Sequence, residues 1–319
     1  MASGLCPCCE AALQSVNMYR VEGKFSEFPF ESVDEGDFDT GIEYLRNGSK
    51  AVDFDDVMVN ESQVEIIIQE LRKPSCELEA LSLYGSSMSR DVAEKLAEVL
   101  LYDSSLKFLN LSGYPLPIQA LRGDQGRIKD DGPAENEDSE ERSVYTGVDL
   151  SEEKFTLFDT IVIGRLFQEN NHILKIDLSS SYIGDENVAP IATSLAKNTS
   201  VLTLNLSSNI IGSVGAMTIS EALRENTALT EIYLDNNSIP IDGATAIAAM
   251  LAVNKTLLRL HVRKNEFGTE GAGVLLAALE TNRTIESFSC DHINDSDLLS
   301  SGFSPSAKTD DVIEPSIKT

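Results

Sequence analysis

Apolar residues return along this chain at a fixed interval. Ile173, Val201, Leu229, Leu257 and Ile285 stand 28 residues apart, and each opens the same string, as in Leu229-x-x-Ile232-x-Leu234 and Leu257-x-x-Leu260-x-Val262. The alternation of the last two apolar positions predicts a short strand with one buried face. Asn209, Asn237 and Asn265 then share one slot, followed by an apolar residue and by Gly212, Pro240 or Gly268. These residue types mark a turn. A helical segment such as residues 243–253 comes next and closes at Asn198, Asn226, Asn254 or Asn282, again 28 apart. Asn at that place is expected to end the helix in the left-handed conformation. The frame recurs upstream at Leu78-x-x-Leu81-x-Leu83 and Leu106-x-x-Leu109-x-Leu111, and more weakly at Val52-x-Phe54, which makes eight expected strands.

A unit of one strand and one helix cannot bury its own apolar faces, so such units must stack into one continuous core. This pattern resembles the leucine-rich repeat family, in the long ribonuclease-inhibitor-like form found also in NOD-like receptors, tropomodulins and the GTPase activator of Ran. The resemblance covers about residues 49–300. It implies an α/β fold, a curved leucine-rich repeat solenoid with a parallel sheet on the concave face and helices on the convex face. The Asn slot holds Ser86, Tyr114, Ser181 and Ile293 in other repeats, so the side-chain ladder is expected to weaken toward the ends.

Three segments fall outside the register. Residues 1–48, with Phe25, Phe28, Phe30, Phe38, Ile42, Tyr44 and Leu45, suit an N-terminal cap, which a solenoid needs. The solenoid then runs over residues 49–303. Between Leu106 and Ile173 the spacing is 67 residues, so one repeat is expected to carry an acidic, disordered insert at about 117–154, where eleven acids meet five bases. Residues 304–319 show no periodicity and read as a tail.

Charge narrows the range of partners. With 25 Lys and Arg against 52 Asp and Glu, the formal net charge is −27, which argues against nucleic acid or an anionic membrane and leaves a basic protein as a fitting partner. No apolar run is long enough to span a bilayer, and the first residues lack the basic start of a secretory signal. Of five cysteines, Cys6, Cys8 and Cys9 crowd together while Cys76 and Cys290 stand apart, which is no disulfide framework. A cytoplasmic location is therefore expected, with the nucleus as the other compartment consistent with the same features.

Catalytic chemistry finds little support. His172, His261 and His292 lie in no nucleophile elbow or paired metal-ligand motif, and no phosphate-binding loop occurs. Gly271-Ala-Gly273 opens a helix after a strand, as a dinucleotide fingerprint would, but Leu276 stands where the third glycine belongs. Gly215, Gly243 and Gly271 are repeat equivalents, so tight entry into each helix explains them. No enzyme activity, cofactor or metal is expected.

The concave face is what remains. Residues alternating with the buried pair of each strand point outward, which brings forward Glu231, Tyr233, Asp235, Arg259, His261 and Arg263, and the aromatics Tyr84 and Phe108. Exposed aromatic and Arg side chains favour protein contacts. Glu231 with Arg259 and Asp235 with Arg263 can equally serve only to pair across adjacent strands. The expected function is non-enzymatic: a protein-protein interaction module that holds its partner on the concave sheet. The resemblance also admits a GTPase-activating regulator like that of Ran, an actin-associated protein like tropomodulin, or an acidic inhibitor of a basic protein. The Ran activator's acidic segment is a C-terminal tail, whereas the acidic run here is internal. Residues 1–48 lack the amphipathic helices expected of tropomodulin.

Overall fold

In a computed structural model, residues 18–19, 28–34, 37–102, 104–122 and 147–300 are described. Short strands alternate with helices throughout. The strands are β1 (Met18–Tyr19), β2 (Glu31–Ser32), β3 (Ala51–Asp53), β4 (Ala80–Ser82), β5 (Phe108–Asn110), β6 (Pro115–Pro117), β7 (Gly147–Asp149), β8 (Lys175–Asp177), β9 (Thr203–Asn205), β10 (Glu231–Tyr233), β11 (Arg259–His261) and β12 (Ser287–Ser289). The helices are α1 (Phe38–Arg46), α2 (Glu61–Leu71), α3 (Arg90–Tyr102), α4 (Ile118–Arg122), α5 (Leu157–Glu169), α6 (Asp185–Leu195), α7 (Ser213–Glu225), α8 (Ile241–Leu251), α9 (Gly268–Thr281) and α10 (Asp295–Ser300).

The strands form two sheets, β2-β3-β4-β5-β6 and β1-β7-β8-β9-β10-β11-β12. Every pairing is parallel except β5 with β6. In the second sheet the register is one full repeat, with Ile176 opposite Leu204 and Ile232 opposite Leu260. The core ignores the break between sheets. One cluster of buried side chains runs from Val33 through Leu116, Ile118 and Val148 to Cys290, and α3 packs directly on α5.

The expected insert is narrower than 117–154. Residues 115–117 turn back as β6, and α4 buries Ile118 and Leu121 completely. At the far side, Val148 and Leu150 stand 28 residues before Ile176 and Leu178 and form the ninth repeat strand, β7, with Phe155 buried behind it. The spacing of 67 therefore holds a complete repeat and a lengthened one. The register was hidden because Gly147 and Asp149 flank a single apolar residue within an acidic stretch. The expected disorder at 123–146 and 304–319 lies outside the described residues, as does most of the expected cap, though β2 pairs with β3 and α1 buries Phe38, Ile42 and Leu45.

The helix-closing asparagines do not adopt the left-handed conformation expected of them. Asn170, Asn226 and Asn282 are extended, with φ of −72°, −68° and −74°. Their side chains are the reason for their choice. Asn226 Oδ1 accepts from the N–H groups of Ala228 (2.9 Å) and Leu229 (2.7 Å), while its Nδ2 donates to the carbonyl of Leu195 one repeat back at 2.6 Å. Asn237 does likewise in the turn slot, donating to Leu206 O (3.0 Å) and receiving Ile211 N–H (3.0 Å). Each asparagine thus satisfies backbone groups of two repeats that would otherwise be buried unpaired. Ser181 replaces it only in part, reaching Leu150 O at 3.0 Å.

Left-handed backbone recurs instead just beyond the strands of the repeats. Glu152, Ser180, Ser208, Asn236, Lys264 and His292, all 28 apart, have φ between 54° and 68°, and in the first sheet Gly85 and Gly113 take the same conformation. The reversal there favours glycine, which the first sheet uses and the second does not.

Candidate functional site

The sheet face is laid down in three rows that follow from the ladder register. In the second sheet the first row is Lys175, Thr203, Glu231, Arg259 and Ser287, and the second is Asp149, Asp177, Asn205, Tyr233, His261 and Ser289. The third row, two residues beyond the second, is Ser151, Ser179, Ser207, Asp235, Arg263 and Asp291.

The second row has a structural role that sequence reasoning missed. Asp149, Asp177 and Asn205 each accept, through Oδ1, the N–H of the residue two further on: Ser151, Ser179 and Ser207 at 3.0, 2.9 and 3.0 Å. These are Asx turns that close each strand. Asn205 Nδ2 also donates to Asp177 Oδ2 at 3.2 Å, and burial pushes the Asp177 carboxyl above its usual range. The repeated Asx-Leu-Ser triplets were the available signal.

Tyr233 and His261 were expected to stand open on this face and do not. They are 1% and 4% exposed, because adjacent parallel strands bring the two rings face to face, with centroids 4.7 Å apart and planes inclined by 31°. His261 Nδ1 lies 2.9 Å from Ser289 Oγ. Burial first, then the charges of Arg263 and Arg259, lower the imidazole pKa to about 4, so the ring is neutral at physiological pH. The Tyr233 hydroxyl donates to Glu231 Oε2 at 3.3 Å, which also receives Thr203 Oγ1 at 3.3 Å.

The charges of the patch are arranged around that stack. Glu231 forms an ion pair with Arg259, whose side chain keeps 42% exposure while Glu231 keeps 12%. Asp235 meets the neighbouring repeat through the main chain, accepting Arg263 N–H at 2.6 Å, and burial raises its carboxyl pKa to about 6. Arg263 and Lys264 are exposed. Of the six residues expected here, Arg259 and Arg263 reach solvent most fully; Glu231 holds the Arg259 side chain, and Asp235 the Arg263 main chain.

The two remaining expected contacts separate. Tyr84 is 50% exposed, as expected. Phe108 is buried at 6% exposure, because residues before β2 cover it: Phe28 meets the Phe108 ring edge-on at 5.6 Å. Phe28 and Phe30 pack with Ala51, Ala80 and Phe108 in a small cluster apart from the main core. The missed signal was the small size of Ala51 and Ala80 in the row that Phe108 completes.

Among the described residues no group of three or more His, Cys, Asp or Glu is arranged to hold a metal, and no helix is long and apolar enough to cross a membrane. The described free thiols are Cys76 and Cys290, and burial pushes Cys290 up to about 12. A model of the family described as Leucine Rich repeat matches residues 197–220 and 253–276, two windows two periods apart that each run from a helix-closing Asn to the next helix. Those two windows are leucine-rich repeats, and the neighbouring strand–helix units keep their 28-residue register.

A search of curated proteins returned no match. Among solved structures, this leucine-rich repeat chain is similar to leiomodin-1 actin-binding site 2, at 26% identity over 43% of this chain and 80% of that one, with a TM-score of 0.39. It is similar also to the tropomodulin C-terminal domain of Caenorhabditis elegans, at 18% identity over 43% and 83%, with a TM-score of 0.38. A TLR13–ssRNA13 complex matches at 12% identity over 67% and 22%, with a TM-score of 0.28. At these scores the similarities decide nothing about what the chain binds.

Proposed function

We propose that this protein, without catalysis of its own, captures a partner protein on the sheet face of β10 and β11, through Arg259 and Arg263. One observation carries the reading: Arg259 is oriented by Glu231 yet remains 42% exposed, with exposed Arg263 on the same face and the buried Tyr233–His261 pair in the row between them. A guanidinium held in position and still open to solvent can form paired hydrogen bonds to a carboxylate or carbonyl at small entropic cost. The recognised surface offers such acceptors opposite the two arginines. The body around them carries a net charge of −27 and favours a partner of net positive charge.

Comparative affinity capture tests this. Arg259→Ala with Arg263→Ala is expected to lose the proteins that the unmodified chain retains, while Lys197→Ala, exposed beyond α6, keeps them. The melting temperature should stay within about 2 °C, since an ion pair with one well-exposed member contributes less than about 1 kcal/mol. Equal capture by both variants would remove this face from consideration.

A further inference from the structure

The two sheets meet at a joint that no strand ladder crosses. Among the described residues β6 closes the first sheet and β7 belongs to the second, so side chains hold the two halves together. α5 packs on α3 and α4, Tyr114 meets Phe155 edge-on at 5.8 Å, and Asn170 Nδ2 donates to Leu121 O at 2.8 Å. One further group at this joint has no part in those contacts.

Asp159, in the first turn of α5, is wholly buried. Counting by 28, it shares its slot with Asn187, Gly215, Gly243 and Gly271. That slot looks back at the preceding repeat: Asn187 Nδ2 donates to Phe155 O at 3.0 Å, and a Cβ on Gly243 would meet Ala216 Cβ at 2.9 Å. For α5 the preceding repeat belongs to the first sheet, so the carboxyl faces the joint. Its Oδ2 accepts the Thr156 N–H at 2.7 Å and the Thr156 hydroxyl at 2.5 Å. Oδ1 has no hydrogen-bond partner among the described residues, and neither has Ser112 Oγ; both atoms are sealed from solvent. Ser112 follows β5, on the far side of the joint, and is the side chain beyond Thr156 that bears on the carboxyl.

No described cation neutralises it. Arg90, Asp91, Glu94, Lys95 and Glu98 of α3 are all exposed. On α4, Arg122 donates to Leu100 O and Ser104 O at 2.9 and 2.8 Å. On α6, Glu186 is exposed and Asp185 accepts Gly212 N–H at 2.6 Å. On α5 itself Arg165 pairs with Glu169, and in the loop before it Lys154 stands over the Tyr182 ring. A full charge buried without a counter-ion costs so much that the group takes up a proton instead. Burial does push this carboxyl above its usual range, against the hydrogen bonds of Thr156 and Ser112.

We propose that Asp159 is held in the folded protein as the neutral acid, with Oδ1–H donating to Ser112 Oγ, and that this one proton latches the joint between the two sheets. Protonation leaves both Thr156 bonds on Oδ2 and makes Oδ1 a donor to a buried hydroxyl oxygen. The contribution is complete below the unfolded value of about 4 and is lost as pH rises through the folded one. Alkaline solution therefore loosens the joint. The latch lies apart from the β10–β11 face, and its test involves no partner.

Infrared spectroscopy of the full chain, with the aspartate carboxyls labelled by carbon-13, reads the proton directly. At pH 7 the parent is expected to show the isotope-shifted carbonyl band of a protonated carboxyl, with a component that Asp159→Asn lacks. Other buried carboxyls, such as Asp177, are common to both spectra and cancel in the difference. Ser112→Ala should keep the component and move it to the frequency of an acid that donates to nothing. Hydrogen exchange reads the latch. Between pH 7 and pH 9 the protection of the α5 amides, corrected for the base-catalysed rate, should fall about tenfold more in the parent than in Asp159→Asn, whose side-chain amide can donate to Ser112 at either pH. If Asp159→Asn fails to fold, Ser112→Ala replaces it, with α5 protection already lowered at pH 7. A parent spectrum without the band at pH 7 would overturn the proposal. So would a band that Ser112→Ala leaves unmoved, which gives the proton to another acceptor, or equal pH dependence of exchange in the parent and the variant.

Discussion

Tyr233 and His261, 28 residues apart in sequence, stack with ring centroids 4.7 Å apart and are almost wholly shielded on the very face that the alternation of the strands turns outward. The stack ties β10 to β11 by side chains as well as by the ladder. Its titration behaviour follows from its burial.

The His261 imidazole has a folded pKa of about 4 against about 6.5 when unfolded. Below pH 6.5 the unfolded chain gains a proton that the folded chain refuses, so the stability this group contributes is lost as pH falls from 6.5 through 4. His261→Gln, which can still meet Ser289 Oγ, is expected to remove that loss, up to about 3 kcal/mol. Urea melts at pH 7 and pH 4 check it: the variant should gain on the parent only at the acidic pH.

Asp235 runs the other way. Burial raises its folded pKa to about 6, so its contribution is complete below the unfolded value near 4 and is lost as pH rises through 6. Asp235→Asn keeps an oxygen for Arg263 N–H and removes the buried charge. It should stabilise the chain by about 1–3 kcal/mol at pH 8 and by nothing measurable at pH 3.5. Between pH 4 and 6 the two groups oppose each other, so the parent profile should be flatter there than that of either variant.

Asn226→Ala strips four backbone groups of their partners, the N–H groups of Ala228 and Leu229 and the carbonyls of Leu195 and Asn198. A cost of about 3 kcal/mol follows, which lowers the melting temperature by about 5–10 °C. Asn226→Asp, which keeps the acceptor and loses the donor, should fall between the two. A loss under about 1 °C for the alanine variant would mean that water replaces the side chain.

Two glycines of α9 give a paired test. A methyl group on Gly271 would meet Phe267 Cβ at 2.6 Å, whereas one on Gly273 meets nothing within 4 Å. Gly271→Ala is expected to destabilise by about 1–3 kcal/mol through overpacking. Gly273→Ala, at an exposed helical position, should stabilise by about 0.5–1 kcal/mol. Thermal melts of the two variants should shift in opposite directions, which a nucleotide-binding role for the pair would not require.

By itself the sequence determined the repeat, its period and the register of the strands. Each unit meets the same neighbours as the next, so one spatial requirement is written out many times and can be read by counting: Ile232 opposite Leu260 and Gly243 entering its helix needed no structure. The same counting reached Glu231 beside Arg259 and Tyr233 beside His261. It misread the helix-closing asparagines, since backbone preference and side-chain reach select the same residue and only the hydrogen bonds to Leu195 O and its equivalents tell them apart. It lost β7, where the apolar signal shrinks to Val148 and Leu150.

The tertiary structure alone decided exposure on the sheet face. Alternation says which way a side chain points but not what lies over it, and that depends on segments far away in sequence: Phe28 over Phe108, across eighty residues, and a neighbouring ring over Tyr233. Contacts between repeats are copied along the chain and leave a pattern, whereas the contact of Phe28 with Phe108 occurs once and leaves none.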